Sequence, residues 1–236
     1  MSLIQTRMSS SRLPGKALLP LGGATVLDQV VRRAAAFSKQ VVVCTSVDKT
    51  DDPIESHCRE IGVHCVRGPL EDVFDRFRTT LAHPRVENTE WFARITGDCP
   101  LISVELAQRL LDARDKNLDY VCVPQTILPR GISIEVVRRP TFENIDHSRL
   151  DSAEKEHVTL HLYEKKGRYN CLWLDPPEAI RHPELRLTLD YAEDYALIKA
   201  LFDRDPDLSA ETAIAHLLSN PELIAINANC AQKGAR

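Results

Sequence analysis

Apolar and polar positions along this chain follow two rhythms, one of short apolar runs and one of helical spacing. Leu3-Ile4-Gln5 opens a strand, and a polar loop from Met8 to Gly15 follows it. Val26, Leu27, Val30, Val31 and Ala34 then recur at helical spacing, and Val41 to Cys44 is a continuous apolar run of the kind a buried strand shows. Ile54, Cys58 and Ile61 mark a helix face that Gly62 ends, and Val63 to Val66 forms the next strand. Val73, Phe74, Phe77 and Leu81 predict a helix, and Trp91 to Ile95 a strand stopping at Thr96-Gly97-Asp98. A helix over Val104 to Ala113 leads to a strand over Tyr120 to Val123. Apolar strands alternating with helices predict an α/β fold, a mostly parallel sheet covered on both faces.

Beyond Pro124 the rhythm changes. Ile132 to Val136 alternates like a strand with one wet face, helices are expected over Pro140–Ile145 and Ala153–Lys165, and a strand around Cys171–Leu174. Arg186 to Leu189 reads as a strand ending at Asp190, with a helix carrying Tyr195, Ile198, Leu201 and Phe202 after it. No repeat or linker divides the chain. The expectation is a single domain over 1–236 with an inserted substructure near 125–180 and a weakly ordered last dozen residues.

The 236 residues carry a net charge of −4, which excludes a generally basic nucleic-acid binder. The charge is uneven: Arg7, Arg12, Lys16, Arg32, Arg33 and Lys39 face only Asp28 within the first forty residues. Seven scattered cysteines without a CxxC pair read as reduced thiols, and the N-terminus lacks an apolar leader, so a cytoplasmic location is expected.

In an open parallel sheet, ligands bind at the carboxyl ends of the strands. Two features of opposite charge are placed there. The loop Gln5-Thr-Arg-Met-Ser-Ser-Ser-Arg-Leu-Pro-Gly-Lys16 gathers Arg7, Arg12, Lys16 and three serine hydroxyls after the first strand, a donor set suited to a polyphosphate. It is not a Walker A loop, because Ser10 and Ala17 stand where that pattern needs Gly and Ser or Thr. No G-x-G-x-x-G follows a strand either. The second feature is Arg94-Ile-Thr-Gly-Asp98-Cys-Pro, whose Asp98 sits at a strand tip, as Asp190 does later. Two hard carboxylates meeting beside phosphates would make a magnesium site, since Mg²⁺ takes few protein ligands. As a lone residue, Asp98 would only cap the helix starting near Ser103.

The cationic loop resembles the signature of sugar-acid cytidylyltransferases, most closely the spore-coat polysaccharide (SpsF-type) branch related to the CMP-KDO and CMP-sialic acid synthetases. The match continues through Thr45-Ser46, Asp52-Pro53-Ile54, Arg67-Gly68, Asp72-Val73-Phe74-Asp75-Arg76, Arg94 to Ile102, Pro129-Arg130-Gly131, Glu135-Val136, Glu156-His157-Val158-Thr159 and Leu187 to Asp190. The resemblance implies a Rossmann-like three-layer nucleotidyltransferase fold, Mg²⁺ dependence, and transfer of CMP from CTP to the anomeric hydroxyl of a nonulosonic- or KDO-type acid. By position, Arg12, Lys16 and Asp98 would be catalytic. Gln5, Thr6, Arg7, Ser11, Arg12, Lys16, Arg67 and Asp72 would bind nucleotide. Arg130, Glu135 and His157 would bind the sugar, with Arg130 or His157 as the cation for its carboxylate. Asp98 and Asp190 would hold the metal. Thr6, Ser9, Ser133 and Tyr191 depart from the family's usual Ala, Gly, Asp and Thr. The first strand also begins late against the family pattern, as though a few residues ahead of Met1 were missing. Such enzymes are often homodimers, with the inserted segment as the expected contact; no nucleic acid or membrane partner is expected.

Two other functions are weighed against this one. A nucleotide-sugar glycosyltransferase would need a D-x-D pair, and Asp203-Arg-Asp205-Pro-Asp207 follows a helix rather than ending a strand. A non-catalytic nucleotide-binding protein would use the same pocket without turnover. Zinc at His57-Cys58 and His64-Cys65 is set aside because both cysteines sit at core positions. His157 and His161, at i, i+4, lack a third ligand.

Overall fold

The computed structural model describes residues 1–165 and 167–231. In chain order its strands are β1 (Ser2–Gln5), β2 (Pro20–Leu21), β3 (Ala24–Thr25), β4 (Val41–Ser46), β5 (His64–Gly68), β6 (Trp91–Thr96), β7 (Tyr120–Cys122), β8 (Glu135–Arg138) and β9 (Cys171–Trp173). The helices are α1 (Val26–Ala35), α2 (Asp52–Glu60), α3 (Val73–Leu81), α4 (Val104–Asp112), α5 (Arg139–Glu143), α6 (Ser152–Glu156), α7 (Leu160–Glu164), α8 (Ala192–Arg204), α9 (Ala210–Ser219) and α10 (Pro221–Ile224).

Seven strands form one sheet in the order β5-β4-β1-β6-β8-β7-β9. β1 lies between β4 and β6, parallel to both, and β5 extends the parallel run. β8 is antiparallel to both its neighbours, β6 and β7, while β7 and β9 are parallel. The chain moves outward from β1 to β5 and then returns to β6 on the other side of β1. That reversal is a topological switch point at the carboxyl ends of β1 and β6, the place where open α/β sheets bind ligands.

Alternation along the strands loads both faces. Ile4, Val43, Ala93, Ile95, Val121 and Val136 pack with residues of α1, α2, α4, α8 and α9 on one side. Leu3, Val42, Phe92, Tyr120 and Val137 pack with Phe74, Phe77, Phe142 and Leu162 on the other. The result is a three-layer α/β architecture. Helix starts match their capping residues: Thr25 and Asp28 form a capping box on α1, and Asp72 and Ser103 accept from the third backbone N–H of α3 and α4.

Four expectations need correction. The strand expected over 132–136 begins only at Glu135, because Gly131 (φ 100°) turns the chain and the Ile132 carbonyl is taken by Ser103 N. Residues 186–189 are extended, with Leu185, Leu187 and Leu189 buried, but their neighbours are loops rather than strands, so a single bridge from Arg130 to Arg186 replaces a ladder. The helix expected over 153–165 is broken at His157–Thr159, where Val158 and Thr159 are both β-branched. The last dozen residues are not uniformly loose: 225–231 continue from α10 and bury Asn227, whereas 232–236 lie outside the described residues. A small β2–β3 hairpin, turned by Gly22 and Gly23 at φ 58° and 78°, was not anticipated.

Candidate active site

The loop after β1 is anchored by its apolar members. Met8, Leu13, Leu18 and Leu19 pack on the core, and Ala17 is fully buried, which leaves Ser9 and Ser11 exposed. Gly15, at φ 72°, turns the chain into a 3-10 turn over Lys16–Leu18, and its N–H donates to the Met8 carbonyl at 2.9 Å. Asp51, wholly buried, accepts from Met8 N at 2.7 Å and from Ser46 N at 3.1 Å, pinning the loop to the end of β4.

The loop after β6 approaches it closely. Gly97 N donates to the Gln5 carbonyl at 2.8 Å, and a Cβ at position 97 would lie 2.6 Å from Thr6 Cβ, so only glycine fits. Asp98 then meets the segment 92 residues later, its carbonyl accepting Leu189 N at 2.8 Å. Asp98, just past β6, and Asp190, just past the extended segment 186–189, converge on Lys16. Its Nζ donates to Asp98 Oδ2 at 2.7 Å, to the Leu189 carbonyl at 2.7 Å and to Asp190 Oδ1 at 3.1 Å. Arg12 reaches Asp190 Oδ1 at 2.9 Å, and Arg186 reaches Asp190 Oδ2 at 2.8 Å. Tyr191 lies beneath both guanidinium groups, 4.8 Å from Arg12 and 5.7 Å from Arg186.

Electrostatics follow from this packing. Burial opposes ionisation of Asp98, but the Lys16 charge and hydrogen bond outweigh it and hold the carboxyl below its ordinary value. Burial likewise works against the Lys16 ammonium, and Asp98 and Asp190 more than offset it, raising its pKa. Arg130 is half-buried with no ion-pair partner for its guanidinium among the described residues; burial, then the nearby Arg186 charge, lower its pKa. Arg7, also half-buried, makes no ion pair among the described residues. Arg130, uncompensated beside Asp98, Asp190 and Arg186, adds a positive charge that attracts an anion to this cluster.

A second polar group lies on the β6–β8 side. Arg94 donates to Gln5 Oε1 at 3.0 Å and to Glu135 Oε2 at 2.5 Å. The same carboxylate accepts Thr159 Oγ1 at 2.8 Å and the buried Tyr120 hydroxyl. Glu135 is therefore sealed within its own network. His157 borders it; burial holds its imidazole below the ordinary value, which favours the neutral form.

Arg67 and Asp72 stand apart from this convergence. Arg67 pairs with Asp52 at 2.8 Å and Glu55 at 2.9 Å and donates to the Ser46 and Asp48 carbonyls, shaping the β4–α2 loop. Asp72 caps α3 and binds His147 at 2.7 Å. Asp203 and Asp207 are exposed around the end of α8, paired with Lys199 and Arg32, and build no strand-tip D-x-D site. Among the described residues no three His, Cys, Asp or Glu side chains form a metal cluster, and Cys58 is a core residue. No described helix is long and apolar enough to cross a membrane.

Sequence reasoning missed Arg186, Asp194, Asn227 and Asp51. The first two carried a signal, an Arg-x₃-Asp-x₃-Asp spacing around Asp190; Asn227 and Asp51 carried none.

The Cytidylyltransferase family model matches residues 1–223. The chain is 39% identical over 235 residues to the spore coat polysaccharide biosynthesis protein SpsF of Bacillus subtilis, covering 93% of this chain and 94% of that one. Among solved structures, a cytidylyltransferase from Leptospira borgpetersenii aligns with a TM-score of 0.86 at 28% identity, over 99% of this chain and 98% of that one. CMP:2-keto-3-deoxy-manno-octonic acid synthetase complexed with CTP shares the fold, with a TM-score of 0.63 at 18% identity over 86% and 98% of the two chains. Residues spread from the first strand to α10 thus match one family in order, and the chain is an enzyme of the cytidylyltransferase family, on its SpsF-type branch.

Proposed function

We propose that this enzyme transfers the cytidylyl group of CTP to the anomeric hydroxyl of a nonulosonic- or KDO-type sugar acid, releasing pyrophosphate, in the synthesis of a surface polysaccharide. One observation carries the reading: a single ammonium, Lys16 Nζ, is shared by Asp98, Asp190 and the Leu189 carbonyl at the carboxyl ends of β1 and β6. Three oxygens gathered around one positive centre are a hard-donor set of the kind a divalent cation takes. Asp98 and Asp190 would hold Mg²⁺, which when bound supplies charge against the triphosphate and acidifies a bound hydroxyl.

The chain's own groups account for the rest. Arg7, Arg12 and Lys16 bind the triphosphate, and the exposed Ser11 hydroxyl adds a donor at the loop's crest. Gln5 and Thr6 shape the nucleotide pocket through the backbone that abuts Gly97. Arg67 fixes the loop after β4 and Asp72 the start of α3, at the border of the base site. Cationic side chains that stabilise charge building on departing pyrophosphate lower the barrier most where water is excluded. Arg130 is the cation for the acid's carboxylate. His157, whose neutral form is favoured, serves a sugar hydroxyl instead, and Glu135 orients Arg94, Tyr120 and Thr159 around that pocket.

Purified protein, CTP and a panel of KDO-, sialic-, legionaminic- and pseudaminic-type acids test the proposal through pyrophosphate release. Turnover with at least one acid, and far less with UTP, ATP or GTP, is expected. CTP binding with no pyrophosphate from any acid would leave a nucleotide-binding protein without this chemistry.

A further inference from the structure

The chain beyond the family match reaches back into the site. That match stops at residue 223, yet Asn227, 4% exposed, inserts its amide between two elements of the acidic cluster. Its Nδ2 donates to the Arg186 carbonyl at 3.1 Å and to Asp194 Oδ1 at 2.9 Å. The turn carrying it is closed by Ile226 N to the Leu223 carbonyl at 3.1 Å and Cys230 N to the Asn227 carbonyl at 3.0 Å.

Asp194 is completely buried and accepts from every side. Arg186 grips it twice, Nε to Oδ1 at 2.8 Å and Nη2 to Oδ2 at 3.0 Å. Oδ2 also accepts Asp190 N and Tyr191 N, each at 3.0 Å. Arg186 Nη2 meanwhile donates to Asp190 Oδ2 at 2.8 Å. Asp190 is therefore oriented at both ends, its backbone by Asp194 and its carboxylate by Arg186, and Asn227 bonds to both orienting residues. A buried acceptor deprived of its donor either pays its full desolvation cost or shifts to find another partner. A shift here moves Asp190.

We infer that Asn227 is a positioning residue for Asp190, setting the divalent-cation affinity of the site from beyond the segment that the family model matches. This inference rests on the reading of Asp190 as a metal ligand. Tightly bonded groups behind a ligating carboxylate commonly change metal affinity by about 10- to 100-fold when removed.

The test is Mn²⁺ binding to the CTP-loaded protein, followed by electron paramagnetic resonance, in wild type, Asn227→Ala and Asn227→Leu. The leucine side chain fills the buried volume without donating. Both variants are expected to weaken Mn²⁺ binding about tenfold, while CTP affinity measured without metal stays within about twofold. If Asn227→Leu binds Mn²⁺ as wild type does and only melts earlier, Asn227 is a brace of the fold and the inference fails. Should both Asn227 variants fail to fold, Arg186→Lys, which keeps the charge but loses the two-pronged grip, must show the same weakening; unchanged Mn²⁺ binding there overturns the inference. Asp190→Asn separates the two readings. Loss of Mn²⁺ in Asp190→Asn but not in the Asn227 variants removes the positioning role alone, and retention in Asp190→Asn removes the metal site and this inference with it.

Discussion

Two polar clusters flank the carboxyl ends of β1 and β6, and they are built on opposite principles. Around Lys16, the carboxylates of Asp98 and Asp190 face Arg12, Lys16 and Arg186, with side chains between 9% and 26% exposed. Arg130 stands nearby without an ion-pair partner among the described residues. Around Glu135, one carboxylate is matched by Arg94, Tyr120 and Thr159. With Asp194 paired to Arg186, the three cations and three carboxylates balance, and Arg130 is the charge to spare for an incoming anion. The second is already satisfied, and a buried pair of that sort fixes shape more than it adds net stability. On the proposed function, the contrast separates the part that would load nucleotide from a satisfied frame beside it.

The strongest way to break this contrast is to remove charge from the loading cluster. Asp98→Asn should cut the rate of pyrophosphate release by roughly 10³-fold, the scale of losing a charge-positioning group in an active site, with thermal unfolding little changed. A variant retaining more than about a tenth of the rate would remove Asp98 from the chemistry.

In the framing cluster the loss should appear as stability. Glu135→Ala strands Arg94 in the interior and should cost about 3–5 kcal/mol in denaturant unfolding. Arg94→Met combined with Glu135→Leu, which removes both charges, should cost much less. Equal costs for the single and double variants would mean that pairing is not what Glu135 provides.

Arg130→Ala should sharpen the boundary between the clusters. We expect KM for the acid acceptor to rise about 10- to 100-fold, or ~1.4–2.7 kcal/mol, with KM for CTP within about twofold. An equal rise in both constants would place Arg130 on the nucleotide instead.

The smallest effect is on the pH dependence of melting. Asp98 is held below its ordinary value, so its contribution is present above ~4 and lost as pH falls through the lower folded value. Lys16 is raised, so its contribution is present below ~10.4 and lost as pH climbs through the higher folded value. Wild type should show a plateau between these limits. In Lys16→Met the charge and hydrogen bond that outweigh the burial of Asp98 are gone, and the loss of stability on acidification through that window should shrink. A scan in which both proteins lose stability alike below pH 6 would show that the two groups are not coupled.

Much of the parallel core was legible because its strands are uninterrupted apolar runs and its helices keep a clean 3.6-residue face, as Val73, Phe74, Phe77 and Leu81 do in α3. The loop from Gln5 to Lys16 was legible because charge, hydroxyls and glycine are concentrated in it. Less visible was anything set by distant backbone. Residues 186–189 have strand periodicity, but only the tertiary arrangement denies them a ladder. Asp51 looks like a surface acid at a helix start, and only the approach of Met8 N reveals it as a buried anchor. The Gly22-Gly23 hairpin was written in the chain, since paired glycines suit a tight turn, and was overlooked. Asn227 belongs to a tail with no periodicity at all.

The reversed direction of β8 has an evolutionary consequence. Every other strand of the sheet delivers its end to that edge, whereas β8 delivers its beginning, Glu135. Under the proposed function, Arg130 and Glu135 lie on the stretch leading into β8 and His157 follows α6, apart from the loop that carries Arg7, Arg12 and Lys16. On that reading, changes in this stretch and at His157 would alter which sugar is accepted while leaving the cation-rich loop as an inherited engine.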